Sequence, residues 1–561
     1  MIANVHITDK SYGNKVLYQD LSLSIQPGER LGIIGRNGTG KTTLFNIICG
    51  LDTDYAGEVN VRKGAVVVAS RQEHHGYENM PVLEYVLADL PEYAALKHII
   101  TTYPASMDQS HRKMQLYSDA LERFGVLGYY NVEDEIRQLF SAYQLEDEQI
   151  DGPMGRLSGG QKRFVELVKV QRAQADISLI DEPTNHMDFV AKSAFLEWFR
   201  QARGAVVVIT HDRDVLAAVD RIIEIKDGHA ESFTGGYDAY LRTNATRITG
   251  QVNEYSVQQR RIANLKDDVI RFKRLKEKAR DPGTIQRFKS LQARAEKELA
   301  ELAGKEKPSF WIDRESVQLL KPKITDAYDQ HKARNIRVRT HKSDAGAGRL
   351  LAEVKNLALG YDDTILFENV SFSLHEGERI RLHGRNGAGK STLVRALLAR
   401  AVSVPPKCTV FDGVIAVERE IRIGVYEQEI APALLDMTLG QAIEHVYYAK
   451  DIAITDQKIR QLLGDYLFDP ATDGDVPVEL LSGGQKARLQ LIAMLAGDPH
   501  ILVLDEPTNH LDLPSIEELE NALANYHGAI LYISHDSFFA QHLAGTEVKI
   551  ANDKHFSKTE P

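Results

Sequence analysis

The sequence predicts an α/β protein built from two phosphate-loop domains in tandem, joined by a long basic helical hairpin. Three observations carry that prediction. An apolar strand, a glycine-rich loop and an amphipathic helix occur together twice, as "LGIIGRNGTGKTTLFNIICG" at 31 to 50 and "IRLHGRNGAGKSTLVRALLA" at 380 to 399. A second glycine-rich stretch recurs downstream, as "RLSGGQKR" at 156 to 163 and "LLSGGQKA" at 480 to 487. Between the two copies lies a stretch whose apolar residues return at heptad-like spacing, broken once by "DPG" at 281 to 283.

Size and composition bound the answer. At 561 residues the chain needs two or three cores. With 43% apolar and 26% charged residues it is an ordinary globular composition, which excludes global disorder. Runs such as "GAVVVITH" fall far short of the roughly 20 apolar residues a bilayer span requires, and "MIANVHITDKSYGNK" has neither the basic flank nor the apolar core of a secretion signal. The two cysteines, Cys49 and Cys408, sit in different copies, so neither a disulfide framework nor a cysteine-based zinc site is expected, and the expected setting is a reducing cytoplasm.

The phosphate loops are read first. Gly35, Gly38 and Gly40 with Asn37, and Gly384, Gly387 and Gly389 with Asn386, let backbone N–H groups wrap phosphates. Lys41 and Lys390 reach the outer phosphates, Thr42 and Ser391 offer a hydroxyl to magnesium, and Thr43 and Thr392 continue each loop into its helix. Next, "ISLIDEP" at 177 to 183 and "ILVLDEP" at 501 to 507 read as buried parallel strands ending in two carboxylates. That edge is where open α/β sheets bind ligands. Asp181 and Asp505 suit magnesium; Glu182 and Glu506 suit polarising an attacking water. "VVVITHD" and "ILYISHD" then bring His211 and His535 to the same edge as candidate γ-phosphate contacts.

Spacing supports a duplication. Ser158 and Ser482, Glu182 and Glu506, and His211 and His535 are each 324 residues apart, whereas Lys41 and Lys390 are 349 apart. From Gln72 to Ser158 the first copy has 86 residues where the second has 54 from Gln428 to Ser482. The excess falls in a helix-patterned segment within about 80–145 and predicts an inserted helical arm. The expected domains are 1–243 with that arm, a linker at 244–347, and 348–561.

In the linker, Ile262, Leu265, Val269 and Phe272 form one stripe and Phe288, Leu291, Ala295, Leu299 and Leu302 another, which predicts an antiparallel hairpin. A first arm of some thirty residues would be about 45 Å long at 1.5 Å per residue. Residues 256 to 294 hold twelve Lys or Arg against four Asp or Glu, net +8 in a chain of net −11. A basic rod on an acidic body suits phosphate backbone; a charged, solvated helix pair is the alternative.

The order of phosphate loop, glutamine, "LSGGQ", "LIDEP" or "LVLDEP", "PTNHMD" or "PTNHLD", and histidine resembles the ATP-binding cassette ATPase fold, present twice. The resemblance implies two composite ATP sites, each closed by the other copy's "LSGGQ" loop. Site one would combine Lys41, Thr42, Gln72, Asp181, Glu182 and His211 with Ser482, Gly483, Gly484 and Gln485. Site two would combine Lys390, Ser391, Gln428, Asp505, Glu506 and His535 with Ser158, Gly159, Gly160 and Gln161. Gln72 and Gln428 would also face the magnesium, and Tyr12 and Tyr361 match the aromatic that stacks on adenine.

End to end, the chain resembles the ABC-F family, whose tandem cassettes and basic linker act on the ribosome. That implies ATP and Mg2+ as ligands, and rRNA and tRNA as partners of the linker near the exit-site and peptidyl tRNA. It further implies a monomer with intramolecular cassette pairing, no membrane partner and no DNA. Small departures are Met187, where a leucine is usual, and Ser537, where the first copy has Arg213. Antibiotic-resistance members share the whole architecture. A transporter ATPase subunit would have no use for the basic hairpin, and a DNA-repair ATPase of this superfamily would need zinc-binding cysteine clusters.

Overall fold

The computed structural model describes residues 1–551 except 14, 72, 73, 105–110, 186, 227, 279, 304–347, 403, 427–429, 467, 482 and 510. The chain divides into two compact units, Met1–Tyr237 with Ile336–Pro561, and Asp238–Asn335.

The first unit holds both cassettes, and each is built around a mainly parallel sheet. In cassette one the strands lie in the order Val67–Ala69, Ile177–Asp181, Ala205–Ile209, Arg30–Gly35, Arg221–Lys226, His229–Thr234, parallel except for the last. Cassette two repeats the first five positions as Ile423–Tyr426, Ile501–Asp505, Ala529–Ile533, Arg379–His383 and Thr546–Lys549. The central strands Ala205–Ile209 and Ala529–Ile533 are buried at every residue. A parallel strand covered on both faces needs such an unbroken apolar run. A second, three-stranded antiparallel sheet flanks each core; in Ala3–Tyr12 the buried Val5 and Ile7 alternate with half-buried Asn4 and His6, the pattern of a sheet with one covered face.

The extra length of cassette one is resolved into helices. Val82–Ala88 and Val132–Ala142 correspond to Leu439–Tyr448 and Asp456–Asp465 of cassette two. The bridges Pro81↔Pro153 and Thr438↔Pro477 mark the same two points in each copy. Tyr93–Thr102 and His111–Val126 are added between them. They are held by Tyr93, Phe124 and Tyr129, whose ring centroids lie 5.3–5.9 Å apart, and by an Arg123–Glu92 ion pair at 2.7 Å.

Among its described residues the second unit has two helices, Tyr237–Lys278, which begins at its border, and Pro282–Ala303. The first has 42 residues rather than some thirty, about 63 Å at 1.5 Å per residue. The apolar stripe begins at Ile262, but the helix starts earlier, where Tyr240 and Leu241 are buried. The "DPG" break also starts the second helix: Asp281 accepts from Thr284 N at 2.8 Å and Pro282 occupies the first helical position. Leu265 and Ala295 are buried, and Ile262, Val269, Phe272, Phe288, Leu291 and Leu299 half-buried. Arg261 donates to both Glu298 oxygens at 2.8 and 2.9 Å, which fixes the helices as antiparallel neighbours. The side chain of Leu302 and residues 304–347 of the expected linker lie outside the described residues.

Candidate functional site

Each phosphate loop ends on a glycine that no other residue replaces easily. Gly40 and Gly389 have φ of 95° and precede the helices Lys41–Ile48 and Lys390–Ala401. A Cβ on Gly40 would lie 2.7 Å from the Tyr18 hydroxyl, and one on Gly389 2.8 Å from the Phe367 ring. Lys41 is buried, donating to Gly35 O at 2.6 Å and Arg36 O at 3.0 Å. Lys390 does the same to Gly384 O at 2.8 Å and Arg385 O at 2.9 Å. Burial pushes both ammonium groups below their ordinary range, against the attraction of Glu182 and Glu506 respectively. Two dry cations with no ion pair among the described residues fit an incoming phosphate.

The carboxylates stand where the strand ends predict. Thr42 Oγ1 donates to Asp181 Oδ2 at 2.8 Å. Glu182 and Glu506 hold left-handed backbone, with φ of 47° and 48°, a conformation that costs a non-glycine residue and concentrates at functional sites. Each is fixed by its own N–H, to Ile209 O at 2.8 Å and Ile533 O at 2.9 Å. Burial, then the neighbouring Asp181 or Asp505, raises these glutamates to about 8 and about 7. His211 Nε2 lies 3.5 Å from Glu182 Oε1 and His535 Nε2 lies 3.4 Å from Glu506 Oε1. Burial, followed by the nearby lysine charge, lowers both imidazoles to about 3. The ring nitrogens of both histidines and Glu506 Oε1 are buried without a hydrogen bond among the described residues. Unpaired buried polar atoms at one strand edge call for a polar ligand.

The two cassettes meet at these sites. A cavity of about 560 Å³ is lined by Tyr12, Lys41, Thr42 and Glu182 of cassette one and Glu506 and His535 of cassette two. A second, of about 470 Å³, brings Ser158, Gly160 and Gln161 opposite Asn386 and Gly387. Ser158 opens the helix Gly159–Ala173 with a capping box: its Oγ accepts from Gln161 N at 3.3 Å, and Gln161 Oε1 accepts from Ser158 N at 3.0 Å. The Ser-x-x-Gln spacing therefore has a local structural role, and the exposed helix N-terminus facing the loop of cassette two is suited to an anion.

Tyr12 and Tyr361 end the long strands Ala3–Tyr12 and Leu350–Tyr361 and are 53% and 41% exposed. Tyr12 donates to Asp52 at 2.9 Å, and Tyr361 lies 3.4 Å from Thr392 Oγ1. Thr43 lines the larger cavity with Gly38 and Asn37, and Gly483, Gly484 and Gln485 begin the helix Gly483–Leu495. Ser391 follows Lys390 on its helix and is half-buried, and Asp505 ends its strand. Gln72, Gln428 and Ser482 lie outside the described residues.

Two residues escaped the sequence reading. Asp188 and Asp512 close the "PTNHMD" and "PTNHLD" hexapeptides and cap the next helices. Asp188 Oδ2 also accepts from Asn386 N at 3.0 Å, and Asp512 Oδ2 from Asn37 N at 3.2 Å. Burial opposes their charge, but these donors with those of Ala191 and Ser515 hold both carboxyls below the ordinary range. Each cassette thus touches the other's phosphate loop. Recurrence at the 324-residue spacing, just ahead of a helix, was the available signal.

The chain is similar to known proteins along most of its length. The ABC transporter family model matches residues 18–185 and 367–509, and a second model, also described as ABC transporter, matches 223–317. ABC transporter F family member 2 of Arabidopsis thaliana is 30% identical over 555 residues, covering 96% of this chain and 75% of the relative. The energy-dependent translational throttle protein EttA of Mycobacterium tuberculosis is 27% identical over 539 residues, covering 94% and 88%. The solved structure of an RNase-L inhibitor superposes with a TM-score of 0.55 at 17% identity, covering 97% of this chain and 89% of that one; it speaks to the fold alone.

Proposed function

The chain belongs to the F family of ATP-binding cassette ATPases, and from that premise we propose that two composite ATP sites switch it between a closed, ribosome-bound form and an open, released one. It hydrolyses ATP. Site one joins Lys41, Thr42, Asp181, Glu182 and His211 to the loop at Ser482, and site two joins Lys390, Ser391, Asp505, Glu506 and His535 to the loop at Ser158. Magnesium held by Thr42 and Asp181, or by Ser391 and Asp505, with Gln72 or Gln428, neutralises phosphate charge when bound.

The protein's own groups divide the work. Lys41 and Lys390 hold the outer phosphates, whose charge their dry ammonium groups complement. His211 and His535, neutral and buried, donate an N–H to the γ-phosphate and complete the bonds they lack among the described residues. Glu182 and Glu506 orient the attacking water and take its proton, and a carboxylate raised toward neutrality by burial is a better acceptor than an ordinary one. Ser158 and Ser482 close each site only when the cassettes meet, so bound ATP favours the closed form and hydrolysis ends that preference.

The observation that carries the ribosome reading is the hairpin. Eleven of its twelve basic side chains between 256 and 294 are exposed, and they belong to a chain of net −11. Charge so segregated suits RNA phosphate, here rRNA and the exit-site and peptidyl tRNA. The likeness to a translational throttle protein over 94% of the chain supports a role in translation. Because the hairpin turns within Lys278–Pro282, without an apolar extension, a translation factor is favoured over antibiotic protection. No described helix is long and apolar enough to cross a membrane; the site of action proposed is the cytoplasm.

The test is Glu182→Gln with Glu506→Gln in a cell-free translation assay. Glutamine keeps the shape but cannot take the proton, so the closed form should persist, pellet with ribosomes only when ATP is present, and arrest synthesis. Undiminished synthesis at excess mutant, with no ATP-dependent pelleting, would overturn the reading.

A further inference from the structure

The tyrosine that lines site one is clamped by an ion pair. Tyr12 ends the strand Ala3–Tyr12 and lines the cavity of about 560 Å³ together with Lys41, Thr42 and Thr43. Lys10, two residues earlier on the same strand, is 2% exposed, and its Nζ lies 4.6 Å from the centroid of the Tyr12 ring. The same ammonium donates to Asp52 Oδ1 at 3.0 Å and to Asp54 O, and lies 3.0 Å from Asp52 Oδ2. Asp52 Oδ2 in turn accepts from the Tyr12 hydroxyl at 2.9 Å. Three side chains thus form one closed unit: a cation against the ring, a carboxylate at the hydroxyl, and the two charges joined to each other.

Asp52 is fixed from the phosphate side. The helix Lys41–Ile48 begins at the phosphate loop, and beyond its end Gly50 N donates to Ile47 O at 3.0 Å and Asp52 N to Asn46 O at 3.2 Å. Asp52 Oδ1 also accepts from Asp54 N at 3.0 Å. Eight residues at 1.5 Å each make this helix about 12 Å long. One rigid element therefore carries the phosphate-binding lysine at its start and, just past its end, the carboxylate that holds Tyr12.

Cassette two holds its tyrosine by other means. The 349-residue spacing of the phosphate-loop lysines pairs Tyr12 with Tyr361, Lys10 with Leu359 and Asp52 with Ala401. Leu359 belongs to the core, Ala401 ends the helix Lys390–Ala401, and the Tyr361 hydroxyl lies 3.4 Å from Thr392 Oγ1. Leucine and alanine side chains have no group that bonds a phenol.

We propose that Lys10 and Asp52 are positioning residues for nucleotide binding at site one: they hold the Tyr12 ring ready to stack on a base, and so set how strongly site one prefers a nucleoside triphosphate to triphosphate alone. This rests on the reading of Tyr12 as the base-stacking residue. A tyrosine 53% exposed at a strand end has rotational freedom to lose when a base settles on it, and a ring fixed beforehand avoids that loss. Lys10 occupies part of the ring by cation–π attraction, leaving the exposed remainder for the base. Phosphates held at Lys41 gain nothing from the clamp, because their partners are the loop and the helix start.

The experiment is a calorimetric titration of full-length protein carrying Glu182→Gln, which stops hydrolysis at site one, and Lys390→Ala, which weakens site two. The probes are ATP and inorganic tripolyphosphate, both with magnesium. Asp52→Ala and Lys10→Met should each weaken ATP binding about three- to tenfold, the range for releasing one ordered side chain, and change tripolyphosphate binding by less than about twofold. In protein already carrying Tyr12→Ala, Asp52→Ala should add less than about twofold. Equal weakening of both probes, an undiminished cost in the Tyr12→Ala protein, or unchanged ATP binding would each overturn the proposal. If neither variant accumulates folded, Tyr12→Phe removes only the hydroxyl of an exposed residue; ATP weakened about two- to threefold with tripolyphosphate unchanged supports the clamp, and undiminished ATP binding overturns it. Tyr12→Ala separates the underlying reading: if it leaves ATP binding intact, the base-stacking assignment fails and the proposal with it, whereas weakened ATP binding in Tyr12→Ala but not in Asp52→Ala overturns the clamp alone.

Discussion

Where cassette one buries Glu166, Lys169, His74 and Tyr85 against one another, cassette two has Gln490, Ala493 and Ile430 beside a cavity of about 420 Å³. The interface between them is unequal as well. Arg213 of cassette one donates to Glu520 of cassette two at 2.9 and 3.5 Å, both side chains nearly inaccessible, whereas the 324-residue spacing puts Ser537 and Leu196 at the mirrored positions. Ser537 instead bonds Asp214 of cassette one at 2.7 Å. Yet the phosphate loops, strand-end carboxylates and histidines recur in both cassettes, position for position. Duplicated cassettes can thus keep the groups assigned to chemistry alike while the packing that surrounds and joins them diverges.

The largest effect expected is on the shared part. Glu182→Gln and Glu506→Gln should each slow turnover at their own site by about 10²–10⁴, the range for a lost general base, measured by single-turnover kinetics with site-resolved nucleotide trapping. A loss at one site only would break the equivalence of the two sets.

Next come the unequal parts. Arg213→Ala leaves Glu520 buried without its cation and should lower stability by about 3–5 kcal/mol, read from denaturant midpoints. Ser537→Ala, at the mirrored position, should cost about 1 kcal/mol. Arg213→Met together with Glu520→Leu should recover most of the larger loss, since a packed apolar pair replaces a buried ion pair at little cost. Equal losses from Arg213→Ala and Ser537→Ala would erase the asymmetry.

The buried carboxyl of Glu166, bonded to Lys169, His74 and Tyr85, predicts an acid dependence that belongs to cassette one. Burial works against its charge, but the His74 and Lys169 contacts hold it at about 2 against an ordinary 4.5. The folded state therefore binds this proton less readily than the unfolded one. The stabilisation is full above about pH 4.5 and is lost as pH falls toward 2, a contribution on the order of 3 kcal/mol. Glu166→Gln with Lys169→Ala should flatten the unfolding midpoint across that window, whereas Gln490→Ala should leave its slope unchanged. The smallest effect is at the cavity itself. Ala493→Leu, which supplies volume where cassette one has Lys169, should raise stability by up to about 1 kcal/mol, visible as a Tm shift of a few degrees; a fall would mean that the space is already closed by neighbours.

Local chemistry made much of this protein readable from its residues. A strand, glycines and lysine in fixed order form a phosphate loop wherever they occur. Four largely apolar residues ending in Asp-Glu form a buried parallel strand with its carboxylates at the ligand edge, and an apolar stripe broken at "DPG" forms two antiparallel helices. Each of these signals spans fewer than about ten residues or repeats at a helical period. The register of the duplication even located the two added helices of cassette one.

What only the tertiary structure decided involves residues brought together from distant parts of the chain. Asp188 reads as a helix cap until Asn386, 198 residues away, donates to it. Glu166 and Lys169, an i, i+3 pair on one helix, become a hub only through Arg71, His74, Tyr85 and Asp89 from elsewhere in the chain. Arg213 and Glu520 pair across 307 residues, and the left-handed backbone of Glu182 and Glu506 is imposed by the neighbouring strands, which fix their N–H groups. Sequence spacing specifies how a segment folds on itself; the free energy of docking two finished surfaces depends on groups from both at once, and no local pattern encodes that sum.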